Sequence, residues 1–145
     1  MGDIVEEESR KGALHLGKLG SILGVLLALQ GGAFYLYTGA RSMTAAIPTA
    51  FGIPLLISSL LMMKYAQSST KMVSITAHTA VMCSLLGAIG GSAMGVVGIV
   101  KGKPLTTIVD CLLLGVLCIF HVVASVQHFI KISKLKKAAR MSKSD

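Results

Sequence analysis

The stretch SMTAAIPTAFGIPLLISSLLMMK, residues 42–64, decides the fold class of this chain. It contains no charged residue before Lys64. At a rise of about 1.5 Å per residue, its apolar part at residues 44–63 is long enough to cross a bilayer core about 30 Å thick. The stretch therefore predicts a membrane-spanning helix, and it raises the question of why such a helix contains Pro48 and Pro54.

The two prolines are expected to affect this helix differently. Pro48 lies near the start, where the first backbone N–H groups lack helical partners anyway, and Ser42 and Thr44 are placed to cap the entry. Pro54 lies deeper, where it leaves a carbonyl near Ala50 unpaired and bends the helix. Because interrupted spans are typical of transporter binding sites, Pro54 is a candidate ligand-binding residue.

The rest of the chain repeats the pattern of long apolar stretches between charged ones. Of its 145 residues, 53% are hydrophobic and only 14% are charged. The apolar stretches predict membrane spans at residues 19–38, 44–63, 72–100 and 105–130. The sequence therefore predicts an all-α, polytopic membrane protein in which a four-transmembrane-helix bundle at 19–130 follows a polar segment, 1–18, and precedes a basic tail, 131–145.

The distribution of Lys and Arg predicts the orientation of the bundle. Of the 14 Lys and Arg residues, all but Arg41, Lys101 and Lys103 fall on the side of the N-terminus, the 64–71 loop and the C-terminal tail. Positive charge concentrates on the cytoplasmic side of membranes, so both termini are expected to face the cytoplasm, the matrix or the stroma. Which membrane this is stays open, and nucleic acid is not an expected partner.

The basic tail is expected to interact with membrane lipid. Apolar residues recur in it at helical spacing, which favours a helix lying in the interface, and each cation near anionic lipid contributes about 1 kcal/mol. The alternative is a solvated tail that only sets orientation. The expected membrane-surface residues are Lys131, Lys134, Lys136, Lys137 and Arg140.

Glycines at every fourth position predict close helix packing. Gly20 and Gly24 have this spacing in the first span, and Gly87, Gly91 and Gly95 have it in the third. Such faces let helix backbones approach closely, which matters in lipid because no hydrophobic force drives helices together. The sequence therefore predicts that the first and third helices pair through these faces.

Ionisable residues within spans are the usual indicators of function in a membrane protein. On the fourth span, Asp110, His121 and His128 fall within about 20° of one stripe, which is expected to face protein. His121 lies deepest, and His78 of the third span is expected to meet it or Gln127. We treat His78, His121 and Asp110 as candidate ligand-binding residues. For the histidines two interpretations stay open: a neutral side chain that bridges two helices and serves only structure, or a site that binds a proton or a ligand.

The sequence contains no set of residues that predicts catalysis. No pattern places a nucleophile beside a base, and Asp110 is the only acidic residue between Glu8 and Asp145. The three cysteines all fall within spans and have no paired spacing, which is typical of small apolar packing residues. We therefore expect no enzyme, no cofactor and no metal site.

The chain also resembles known families over most of residues 17–131. The shared pattern is a Gly-rich first span ending near a Thr-Gly pair, then S-x-T-A-x-I-P-x-x-F-G, then a histidine followed by a small residue and Ala. It is similar to a family of small four-helix membrane proteins common in bacteria, whose members often have a second histidine where this chain has Ile75. The stretches that carry the resemblance are GAFYLYTGARSMTAAIPTAFGIPLLISSLL (32–61), KMVSITAHTAVMCSLLGAIGG (71–91) and LLLGVLCIFHVVASVQHFI (112–130).

More distantly, the order of Tyr37, Gly39, Ser42 and the Gly-containing second span is similar to the transmembrane protein 14 and fatty-acid-export family. That resemblance implies movement of fatty acids or porphyrin-like lipophiles across organelle membranes. Two hypotheses follow. The first is a carrier or exporter of a lipophilic small molecule such as a fatty acid, working through an opening between the bent second helix and the third. The second is a non-catalytic accessory subunit that packs into a homo-oligomer or a larger membrane complex.

Overall fold

The computed structural model describes residues 2–39 and 43–141, and within this part the chain is almost entirely helical. Four of its helices are long and apolar enough to cross a membrane, judged by length and composition. The predicted all-α class with four candidate membrane helices is therefore confirmed. The elements are α1 (Gly2–Tyr37), a 3₁₀ turn (Met43–Ala46), α2 (Ile47–Tyr65), α3 (Thr70–Val100) and α4 (Leu105–Met141).

The start of α2 follows the prediction for Pro48 but not the one for its cap. Pro48 lies in the first turn, where a missing N–H costs little. Thr44, however, belongs to the 3₁₀ turn, and Ala46 precedes the helix without a side-chain cap, so the cap predicted from Thr44 is wrong. The one predicted from Ser42 lies outside the described residues. The α2 helix continues through Pro54, whose carbonyl accepts a hydrogen bond of 2.8 Å from Ser58 Oγ.

The helix α1 is longer than the predicted span because the polar segment before it is also helical. Its 36 residues extend about 54 Å, well beyond the bilayer core. Glu7 and Lys11 form an ion pair of 2.7 Å one turn apart, which supports a helix in this polar region. Ala13 and Leu16 are each only 4% exposed. The segment 1–18 is therefore part of the packed bundle from Ala13 onward.

Residues 131–141 of the basic tail continue α4 without a break. Ile132 is 8% exposed, and Lys131 Nζ lies 2.7 Å from Glu8 Oε2 of α1. Residues 131–141 therefore pack beside the start of α1 as the last turns of α4, and contact of this helical stretch with the membrane surface stays a prediction. The stretch packs there because α1 extends equally far and supplies it with an apolar and an acidic neighbour.

Helices that follow one another in the chain pack most closely, α1 with α2 and α3 with α4. A β-carbon on Gly24 would lie 2.9 Å from the carbonyl oxygen of Gly52 in α2. One on Gly91 would lie 2.7 Å from the backbone nitrogen of Gly115 in α4. The predicted pairing of the first and third helices is therefore wrong, because short turns at Gly39 and Gly102 direct each glycine face to the adjacent helix.

The remaining predicted packing glycines also lie at helix crossings. A β-carbon on Gly87 would lie 2.7 Å from Cys118 Sγ, and one on Gly95 would lie 2.5 Å from Leu112 Cδ2. Gly20 faces Ser59 of α2 and His121 of α4. In each case the absence of a side chain brings two helices together.

Large apolar side chains cover the outside of the bundle. Residues on every helix, among them Val25, Ile57, Ile89 and Val116, are 43–62% exposed. Many buried positions are occupied by small or polar residues, such as the serines of α2 and α3, together with leucines such as Leu27. An apolar exterior around a closely packed interior suits a lipid environment, because lipid solvates the exterior and close packing holds the interior.

Candidate functional site

A cavity of about 1600 Å³ lies at the end of the bundle where the start of α1 and the end of α4 lie side by side. We call it the basin. The first turns of α1, the α2–α3 turn and the last turns of α4 form its walls. The basin exists because α1 and α4 both extend beyond the shorter helix α2. The ends of α1 and α4 therefore border a space that α2 does not fill.

The floor of the basin is apolar. Four of its lining residues form a buried cluster contributed by three helices: Ala13, Leu16, Met62 and Ala77. Phe129 and the buried Ile132 add apolar surface from α4. A hydrocarbon chain that reaches these side chains would be packed against apolar surface, which is the environment that favours burial of a lipophile.

The rim of the basin is cationic. Two carboxylates, Glu6 and Glu7, also line it, but Glu7 is already paired with Lys11. A concave site with an excess of one charge raises the local concentration of ions of opposite charge. The five cations on the rim, all exposed, are Arg10, Lys71, Lys136, Lys137 and Arg140.

Two contacts between α1 and α4 close one side of the basin. Lys131 Nζ donates a hydrogen bond of 2.7 Å to Glu8 Oε2, and this contact lowers the pKa of the Glu8 carboxyl through the hydrogen bond first and the nearby charge second. The imidazole of His128 lies against Gly12, in the space that a β-carbon there would occupy. Both contacts hold the ends of α1 and α4 together beside the cavity.

His78 lies on the wall of the basin and is exposed. Its Nδ1 is 2.7 Å from the Ser74 carbonyl oxygen, and its ring stacks on Phe129 with centroids 5.8 Å apart. The expected contact with His121 or Gln127 is therefore not formed. His78 reaches the basin because it lies in the first turns of α3, next in sequence to the floor residue Ala77.

His121 is the polar centre of the bundle interior. It is 1% exposed, and its Nδ1 lies 2.8 Å from Ser84 Oγ of α3. Ser125 Oγ donates a hydrogen bond of 2.8 Å to the His121 carbonyl, which anchors the same stretch of α4. The stripe predicted on this helix does face protein at His121 and Asp110, both of which are buried.

Asp110 lies toward the other end of the bundle, far from the basin. Gln30 Nε2 of α1 donates hydrogen bonds of 2.7 Å to Asp110 Oδ1 and 2.9 Å to the Asp110 carbonyl oxygen. The buried Gln30 Oε1 has no hydrogen-bond partner among the described residues. These hydrogen bonds join α1 to α4 at a point where no glycine brings the two helices into close contact.

The structure does not bring the four candidate ligand-binding residues together. His78 is at the basin, His121 in the interior and Asp110 at the opposite end, whereas Pro54 is exposed on the outside of the bundle. The residues that sequence reasoning missed are those that assemble across helices. Ser59 and Ser84 stand out as polar residues in apolar spans, but nothing local indicates that Arg10 and Lys71 share a cavity with the tail.

Among residues 2–39 and 43–141, no group of three or more His, Cys, Asp and Glu side chains is placed to hold a metal ion. Cys111 and Cys118 are buried, and Cys83 is half-buried. Comparisons with models of protein families, with curated proteins and with solved structures find no match to this chain. The family resemblance read from its motifs therefore stays a prediction, and the candidate site has to be interpreted from its own geometry.

Proposed function

We propose that this protein is a small integral membrane carrier or exporter that binds an anionic amphiphile, such as a long-chain fatty acid, in the basin. The observation that carries the proposal is the combination of an apolar floor with a cationic rim in one cavity. An amphiphile has the same two parts, a hydrocarbon chain and a charged head. The exposed apolar exterior supports the membrane setting in which such a molecule is found.

The basin replaces the opening that the sequence suggested between α2 and α3. Pro54 is exposed, and the third-helix glycines lie against α4, so that earlier location has no support. The rim cations come from all three walls, which favours recognition of charge over any single specific contact. At about 1 kcal/mol for each cation near an anionic group, a few of them are enough to select an anionic amphiphile over a neutral one.

Efflux from liposomes tests the proposal. The purified full-length protein, reconstituted into vesicles loaded with a fluorescent long-chain fatty acid, is expected to accelerate efflux relative to protein-free vesicles. The double variant Lys136→Gln/Lys137→Gln is expected to slow it, whereas Lys101→Gln/Lys103→Gln, at the opposite end of the bundle, serves as the matched control. Equal rates with and without protein would contradict the proposal.

A second candidate function, an accessory subunit, has one observation in its favour. Gly32 of α1 and Gly90 of α3 face open space, with nothing within 4 Å of a β-carbon placed on either. Gly87, Gly91 and Gly95, by contrast, already contact α4. If a partner helix packs on the bundle, Gly90→Leu should abolish co-purification with that partner. An unchanged complex with this variant would count against the accessory role.

A further inference from the structure

All four helices meet at the imidazole of His121. Ser84 of α3 lies 2.8 Å from its Nδ1. On its other side, Ser59 of α2 and Nε2 of the ring both face the backbone of α1 at Gly20. The point where a β-carbon on Gly20 would stand is 3.0 Å from His121 Nε2 and still closer to Ser59 Oγ. Both polar atoms therefore border the space that a side chain at position 20 would fill.

These groups are fully enclosed by the bundle. Ser59 is 0% exposed, and His121 and Ser84 are each 1% exposed. Neither Ser59 Oγ nor His121 Nε2 has a hydrogen-bond partner among the described residues. A buried polar atom left without a partner costs about 1–3 kcal/mol, and here two such atoms face the same point. A proton held between the two atoms would give each of them a hydrogen-bond partner.

The donors and acceptors around the ring suit both of its charge states. A neutral imidazole has one N–H donor and one acceptor nitrogen, whereas an imidazolium has two donors. A serine hydroxyl can donate or accept by rotating about its C–O bond. Ser84 faces Nδ1, and Ser59 is placed to face Nε2, so rotation of two hydroxyls is sufficient to accommodate either state.

We propose that His121 is a proton-binding site in the interior of the bundle, formed with Ser59, Ser84 and the space at Gly20. The proton comes from a hydronium ion of the aqueous phase, whose O–H bond breaks and leaves a water molecule. The ring nitrogen that is unprotonated in the neutral imidazole supplies the lone pair for the new N–H bond. The two serine oxygens then accept hydrogen bonds from the two N–H groups of the imidazolium.

Among the described residues, the His121 ring has one side-chain hydrogen-bond partner, the Ser84 hydroxyl, and no charged one. The titratable residues closest to His121 along each helix are Lys18 of α1, Lys64 of α2, Cys83 of α3 and Cys118 of α4. Of these, Lys18 and Lys64 are exposed, Cys118 is buried and Cys83 is half-buried. The polar groups placed around the ring are the hydroxyls of Ser59 and Ser84.

A proton at His121 has a consequence that rests on the carrier function proposed above. Moving a carboxylate through a bilayer alone carries charge across the membrane, and intramembrane ionisable residues commonly serve as proton sites in transporters. His121 lies below the basin floor, since Ser59 is one turn of α2 from the floor residue Met62. Binding of the amphiphile in the basin and of a proton at His121 would make its movement proton-linked.

Nitrogen NMR of the full-length protein in lipid nanodiscs tests the site directly. The chain has 4 histidines, so ¹⁵N-histidine labelling gives few signals, and His121→Gln identifies the signals of His121 by their loss. Between about pH 8 and about pH 5, both ring nitrogens of His121 are expected to shift reversibly to imidazolium values. A ring that stays in one neutral tautomer over this range would overturn the proposal.

Serine variants test the two-hydroxyl geometry and provide assignment if His121→Gln does not fold. Ser59→Ala and Ser84→Ala should each perturb the signal of one ring nitrogen and leave the imidazolium incompletely formed at the lowest pH. Ser58→Ala is the matched control, because Ser58 Oγ bonds the carbonyls of its own helix. Titration that is unchanged in both Ser59→Ala and Ser84→Ala would contradict the site.

The outcomes separate this proposal from the carrier function. Titration of His121 without fatty-acid efflux contradicts the carrier alone and supports the proton site. Efflux from vesicles with a His121 ring that never protonates contradicts the proton site alone. If both hold, an imposed pH gradient should change the efflux rate of the wild-type protein, and His121→Gln should lose that dependence.

Discussion

The middle of the bundle and its basin end differ in how closely the helices pack. In the middle, Gly24 meets Gly52 and Gly91 meets Gly115, so backbones touch and little room is left for a side chain. At the basin end the helices carry long charged residues and enclose about 1600 Å³. Glycine crossings in the middle bring helix backbones together, whereas beside the basin α1 and α4 are joined by side chains, through the Glu8–Lys131 ion pair and the contact of His128 with Gly12.

The largest effect is expected from filling a glycine crossing in the middle. A side chain on Gly91 would strike the Cys111 carbonyl oxygen and the Gly115 nitrogen, each 2.7 Å from its β-carbon, and helix backbones cannot yield as a flexible side chain can. Gly91→Leu should therefore lower the free energy of unfolding by about 3 kcal/mol. Thermal unfolding in detergent or nanodiscs measures this loss.

Gly90→Leu is the matched control for that substitution. It adds the same side chain one residue away, where a β-carbon has nothing within 4 Å. Its stability should equal or slightly exceed that of the wild type, because glycine is a poor helix former. Equal losses in the two variants would show that the crossing is not a close backbone contact.

The next effect tests the polar contact in the same interior. Ser84→Ala removes the hydroxyl that lies 2.8 Å from His121 Nδ1 and leaves a buried ring nitrogen without a partner. The expected loss in the free energy of unfolding is about 2 kcal/mol. Thr79→Ala, on the exposed side of α3, removes a hydroxyl that bonds only its own helix and should cost much less. A similar loss in both would argue against a buried His121 contact.

At the basin end, charge substitutions should change binding rather than folding. Removing Lys136 and Lys137 as Gln takes two cations from the rim, each contributing about 1 kcal/mol toward an anionic head. The dissociation constant for oleate should therefore rise about 30-fold, while the unfolding temperature stays near the wild-type value. Lys101→Gln/Lys103→Gln should leave oleate binding unchanged, and weakening of the same size there would rule out a local site.

The smallest effect concerns the ion pair beside the basin. Lys131 lowers the pKa of Glu8, so the pair contributes stability above the unfolded-state pKa of the carboxyl and loses it as the pH falls through the lower folded-state pKa. Glu8→Gln should be slightly less stable than the wild type near neutral pH and equally stable in acid. Thermal unfolding at both pH values measures this, and a difference that does not shrink in acid would contradict the assignment.

The sequence predicted the parts of the fold that depend on local composition. Uninterrupted apolar stretches identified four candidate spans, and the spacing of Asp110 and His121 placed both on the inner stripe of α4. It failed where partners are distant. The spacing of Gly24 and Gly91 predicts a packing face but does not say which helix meets it, and that choice depends on turn length.

The site was harder to predict than the fold because its parts are contributed by separate helices. Arg10, Lys71 and Lys137 lie far apart in the chain and share a cavity only because α1 and α4 continue past the membrane-length core. The helical start of α1 was missed because its acidic residues suggested a polar segment, whereas Ala13 and Leu16 bury their side chains there. His78 was predicted to meet His121 or Gln127 in the interior, but it lies in the first turns of α3, at the wall of the basin.

Native mass spectrometry of the full-length protein, extracted gently from membranes, tests the central claim most directly. We predict a bound anionic amphiphile of fatty-acid type, retained by the wild type and by Lys101→Gln/Lys103→Gln and lost from Lys136→Gln/Lys137→Gln. A wild-type protein that carries only neutral lipid, or a Lys136→Gln/Lys137→Gln variant that retains the same anionic molecule, would contradict the basin as the binding site.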